Sequence, residues 1–155
     1  MIVLDDRVLQ MNAGGTVSAG IWLTFPTGDF PAKGWDDFAV AILIQIARAI
    51  LEVAHDPPAS RYISFFEGPL GVELEWHAGA MKVLAIRRAP TRRVVVVQRV
   101  EPAAFNRNLI EVSRQLLGWC DARGWTSEEI EALRQLTVQL GEVDRPSSPR
   151  ARTDS

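Results

Sequence analysis

Cysteine and histidine are scarce in this sequence, and their scarcity removes whole classes of chemistry. The single Cys120 among 155 residues forbids an internal disulfide. The two histidines, His55 and His77, come without an HExxH, a CxxC or a dense His/Asp/Glu cluster, so no transition-metal centre is expected. No GxSxG, Walker or dinucleotide fingerprint occurs either, and no cofactor is expected. A long apolar run is also missing. The charge-free stretch Phe38–Ala47 covers ten residues, well short of the roughly 20 that a bilayer requires. The opening MIVLDDRVLQ has acid where a signal peptide would carry base. These absences together predict a cytoplasmic protein with no membrane association.

What is present is dominated by Phe25–Ala54. A turn loaded with Pro and Gly runs into a predicted helix, Trp35–Ala54, that is apolar almost all the way round. Its interior polar positions are Gln45, Arg48 and Glu52, which form one thin stripe at helical spacing. Such a helix has to be covered on most sides, by a sheet, other helices or a second chain.

Before it, Val17, Ala19, Ile21, Leu23 and Phe25 alternate with Thr16, Ser18, Gly20, Trp22 and Thr24, which predicts a strand with the first set inward and Trp22 outward. The turn Asn12–Gly15 joins it to a partner over Arg7–Met11. After the helix, His55–Pro58 breaks the chain, and a meander of four strands is expected over Tyr62–Phe66, Leu70–His77, Met81–Ile86 and Val94–Val100. Two helices follow. Pro102 opens the first, with Phe105, Leu109, Val112 and Leu116 inward; Gly124 ends it. Thr126 and Glu129 form an expected capping box for the second, with Ile130, Leu133, Thr137 and Leu140 inward and Gly141 as its stop.

The expected fold is therefore α+β: a mainly antiparallel sheet, made of a two-stranded start and a four-strand meander, packed on the long apolar helix, with two C-terminal helices. One domain is expected over 1–141, and residues 142–155 read as a disordered tail.

The net charge of −2 hides a segregation. Residues 1–60 balance to −4, whereas residues 61–100 balance to +4. Such a split either pairs within the fold or shows partners two opposite faces. The loop Arg87–Arg93 holds four arginines, yet the chain is acidic and no aromatic platform stands beside them, so nucleic-acid binding is not expected. Glu73 and Glu75 project from one strand face together with His77, which would suit acid/base work; a solvated face opposite Lys82 or Arg87 accounts for them equally. Asp36 and Asp37 fit the first turn of the apolar helix, where acids complement the helix dipole. Cys120 reads as a small buried thiol on an amphipathic helix. Trp22, Trp35 and Trp125 are candidate binding anchors, each with an alternative place in the core.

The string Phe25-Pro26…Phe30-Pro31-Ala32-Lys33-Gly34-Trp35-Asp36-Asp37-Phe38, with the later Ala122-Arg123-Gly124-Trp125, resembles motifs of small bacterial proteins similar to the immunity proteins of polymorphic-toxin systems. The likeness spans roughly residues 2–140, although members often carry aromatics where this chain has Ile44, Gln45 and Ile46. It implies a non-enzymatic, immunity-like module that neutralises a cognate bacterial toxin by occluding its active site. On side-chain type, Trp22, Asp29, Trp35, Glu73 and Glu75 are the expected partner-binding residues. Two alternatives stand beside it: a small enzyme using Glu73, Glu75 and His77, and a homodimeric scaffold joined through the apolar helix.

Overall fold

Period-two alternation and one largely apolar helix organise the molecule, the helix contacting both sheets. The computed structural model describes residues 1–53 and 59–143. The expected break His55–Pro58 and the tail beyond Val143 lie outside them.

Strand β1 (Ile2–Met11) pairs antiparallel with β2 (Val17–Phe25) across the Asn12–Gly15 turn. The turn is closed by the Asn12 side chain, which accepts from the backbone N–H groups of Gly14 and Thr16. The inward set Val17, Ala19, Ile21, Leu23 and Phe25 is buried as the alternation predicts. The first sheet then gains two short strands that sequence alone does not show: β3 (Gly28–Phe30) and β4 (Asp36–Asp37) both pair with β2. The Pro- and Gly-rich segment is thus part of a four-stranded antiparallel sheet and not merely a turn.

Because Asp36 and Asp37 belong to β4, helix α1 (Ala39–Val53) starts later than expected and has no acid in its first turn. The helix-dipole role expected for them does not hold. α1 is the centre of the core, with Ile42, Leu43, Ile46 and Ala47 inaccessible or nearly so. Each such aliphatic side chain contributes about 1.5–3 kcal/mol by leaving water. Both sheets and both later helices contact α1. Most of its apolar surface is thereby covered within one chain.

The second sheet is the expected meander, in the order β5 (Ala59–Ser64), β6 (Leu70–His77), β7 (Ala80–Arg87) and β8 (Arg93–Val100), all antiparallel. Gly71 of β6 is required by its neighbour, since a Cβ there would collide with the Tyr62 phenol lying across it. Helix α2 (Pro102–Ala122) buries Phe105, Leu109, Val112 and Leu116, with the Glu101 carboxylate capping its start. Helix α3 (Glu128–Val143) buries Ile130, Leu133, Thr137 and Leu140.

Two boundaries of α3 differ from expectation. Its cap is Ser127 and not Thr126: the Ser127 hydroxyl accepts from the Ile130 N–H at 3.2 Å. Gly141 does not stop it, so Glu142 and Val143 are helical and not part of a tail. The structure is α+β, with two four-stranded antiparallel sheets and three helices among the described residues. No helix among the described residues is long and apolar enough to cross a membrane.

One edge of each sheet is bonded by a side chain from a helix. Asn108 of α2 takes both backbone groups of Ile2 on β1, accepting its N–H at 2.8 Å and donating to its carbonyl at 3.3 Å. Gln45 of α1 does the same to Ser64 on β5, at 3.0 and 3.2 Å. A side-chain carboxamide thus mimics a neighbouring strand at each of these edges.

Candidate functional site

The five residues expected to bind a partner fall into four different environments. Trp22 is the correction. The alternation assigns it to the right face, but that face is not open, and the side chain is only 5 % exposed. Gly20 lies beside it: a Cβ there would make an ordinary 3.5 Å contact with the Trp22 ring and would clash instead with the Asp5 Cβ at 2.9 Å. The loop between β3 and β4 also returns toward β1, bringing Gly34 near the Arg7 guanidinium. Strand parity tells which face a residue occupies, not what covers that face. Asp29 is exposed on β3 and accepts from the Thr24 hydroxyl at 2.7 Å.

Trp35 lies where the two sheets meet, and here the structure assembles a cluster. Asp37, 2 % exposed, accepts from the Trp35 indole N–H at 3.1 Å and from the Phe38 N–H at 2.7 Å. It also accepts from the Phe66 N–H at 3.1 Å and the Glu67 N–H at 3.2 Å. One buried carboxylate therefore ties the start of α1 to the turn between β5 and β6. It holds the Phe66 ring 5.5 Å from that of Phe38, and Phe66 remains 49 % exposed. Exposed Asp36 and Glu67 adjoin these residues in sequence. A partly exposed aromatic pair is thus held at this junction.

Phe66, Phe38 and Asp37 are the residues that sequence reasoning missed as a group. Phe65 and Phe66 were available as a signal. Two successive phenylalanines leaving a strand cannot both point inward. Phe65 takes the core, with its ring against Phe30, and Phe66 faces out.

Glu73 and Glu75 do lie together, on the outer face of the second sheet, as their spacing predicts. With His77, Lys82 and Arg99 they line an open groove of about 510 Å³. Glu75 is directly opposite Lys82, which in turn is opposite Arg99. Glu73 is opposite Leu84, and its cation comes from elsewhere: Arg92 of the basic loop binds one carboxylate oxygen at 2.5 Å, while the Ser60 hydroxyl binds the other at 2.5 Å.

The Ser60 hydrogen bond, followed by the Arg92 pair, holds the Glu73 carboxyl below its ordinary range. A carboxylate stabilised in this way is a poor proton carrier near neutrality. The basic loop is likewise partly committed: the Arg88 guanidinium lies 4.9 Å above the Tyr62 ring. His77 is exposed at the end of β6, and no hydrogen bond joins it to Glu75 among the described residues. His55 lies outside the described residues. Cys120 is buried, and desolvation raises its thiol above the usual range.

Among the described residues no group of three or more His, Cys, Asp or Glu side chains is placed to hold a metal ion. Comparison of the chain with family models, curated proteins and solved structures gave no match.

Proposed function

We propose that this chain is a non-enzymatic protein-binding module, immunity-like, that neutralises a cognate bacterial toxin by occluding its active site. The observation that carries the reading is the exposed Phe66 ring, held against Phe38 at the sheet junction by the buried Asp37 carboxylate. Interfaces draw most of their energy from a few rigid, largely apolar anchors ringed by polar groups. Phe66 is such an anchor, because its backbone is pinned and it loses little freedom on binding. Exposed Asp36 and Glu67, next in sequence to Asp37 and Phe66, supply negative charge suited to the cationic surface of an enzyme that acts on anionic substrates. Trp35 supports the anchor from behind, through its bond to Asp37.

A small enzyme is the second reading, and one observation favours it: Glu73, Glu75 and His77 do line one groove. The direction of the Glu73 shift weighs against proton transfer by that residue, since a catalytic acid at neutral pH needs its carboxyl raised.

The test is depletion of the chain in its native cells. Immunity predicts arrested growth that the wild-type chain restores and the Phe66→Ala variant does not. Unchanged growth on depletion under conditions where the toxin is made, or full rescue by Phe66→Ala, contradicts the reading.

A further inference from the structure

We propose that the free edge of β8 is a docking strand for an extended segment of a partner protein whose apolar residues are flanked by Asp or Glu. This goes beyond the reading above and rests on it only in taking the partner to be a protein.

Three observations converge on this edge. The first is the edge itself: among the described residues β8 has β7 as its one strand neighbour, and the one side-chain bond to its backbone is local, from the Gln98 carboxamide to the Arg99 carbonyl at 2.8 Å, whereas side chains of α2 and α1 bond β1 at Ile2 and β5 at Ser64. An uncovered edge carries backbone N–H and C=O groups ready for a further strand.

The second is composition. Val94–Val97 is an uninterrupted run of valines, with Val95 43 % and Val97 57 % exposed. Neither face of β8 is fully covered. A register shift between Ala85 and Ile86 displaces the first half of the strand, and Val96–Val100 pairs regularly beyond it. Those residues are the ones able to accept a straight partner strand.

The third is charge, and it selects the occupant. Arg93 and Arg99 bracket the valines, Lys82 is opposite Arg99, and Arg87 is opposite Arg93. β8 contains no acid. Pairing with a second copy would bring two such cationic strands together with no countercharge on either, which like-charge repulsion opposes. An apolar strand with acids at its ends meets both the valines and the arginines. Alternate side chains of that strand would lie beside Val97 and Arg99 on the outer face, next to the Glu75–Lys82 row.

The experiment titrates the isotope-labelled full chain with a blocked nine-residue peptide of alternating valine and threonine that carries a glutamate pair at each end. A matched peptide with lysine pairs is the control. Amide shifts confined to β7 and β8 are expected, with binding at least about tenfold tighter for the glutamate peptide and weakened by salt. The double variant Arg93→Glu/Arg99→Glu, altered only at exposed positions, should reverse the preference. No β8 shifts at ~1 mM peptide, shifts without charge preference, or a wild-type dimer in sedimentation that Val97→Lys dissociates would each overturn the assignment; the last would mean self-pairing. None of these results bears on whether depletion arrests growth, so the two proposals fail separately.

Discussion

Removing the Asp37 carboxylate should cost this fold more than any other single polar change, and the reason can be worked through atom by atom. In Asp37→Ala four N–H groups lose their acceptor: those of Phe38, Phe66 and Glu67 and the Trp35 indole. An N–H left buried without a partner costs about 1–3 kcal/mol, and more where the lost acceptor was charged. Water can reach the Phe66 and Glu67 amides, because those residues are exposed. The Phe38 amide and the half-buried indole are less accessible. Two groups at full cost and two at reduced cost give roughly 3–4 kcal/mol. For a chain of this size that lowers Tm by about 10 °C. Asp37→Asn keeps one acceptor oxygen but aims an amide donor at other donors, so about 2 kcal/mol is expected. Urea denaturation at low and high salt measures both. Asp36→Asn, one residue away and exposed, is the control and should fall within about 0.5 kcal/mol of wild type. The competing account, a carboxylate that only complements a helix dipole, predicts no more than about 1 kcal/mol, screened by salt. A loss of that size, vanishing in high salt, would refute the clamp.

Three further outcomes follow from the same geometry. Trp22→Ala should destabilise by about 3–5 kcal/mol, as a buried aromatic deletion does, whereas Phe66→Ala should leave the melting temperature nearly unchanged; calorimetry compares the two. Glu73→Gln should be less stable than wild type at neutral pH. Because the folded-state pKa of Glu73 is depressed, its contribution is present above the unfolded carboxyl's pKa and disappears as pH falls through the folded value, so the two unfolding curves should converge in acid. Cys120 should resist a thiol reagent in the native protein and react once denaturant unfolds it, since burial both shields the thiol and raises its pKa; rapid native labelling would contradict its placement.

Much of the fold was legible because it repeats. The inward set of β2, the faces of α2 and α3 and the Glu73/Glu75 pairing on β6 all follow from a period of two or 3.6. What was not legible depends on tertiary partners. β3 and β4 are three and two residues long, too short to show a period, and exist because β2 offers them an edge. Asp37 looked like a helix-dipole acid because its true partners, Phe66 and Glu67, are some 30 residues away in the chain. Arg92 could not be assigned to Glu73 without knowing how the β7–β8 loop folds back across the sheet. Thr126 and Ser127 offer two neighbouring hydroxyls, and local pattern does not choose between them. Gly141 misleads for a different reason: glycine weakens a helix without ending it, and Gly118 likewise lies inside α2.

The central claim is that a pinned aromatic surface binds a protein partner, and affinity capture from native cells at moderate salt tests it most directly, with the tagged wild-type chain run beside Phe66→Ala. The account predicts one toxin-domain protein recovered in near-equal amount with the wild type. It should be lost with Phe66→Ala, where truncation of a central anchor weakens binding by about 2 kcal/mol, roughly thirtyfold. Recovery of the wild-type chain alone, or equal recovery of a partner by both forms, would contradict it.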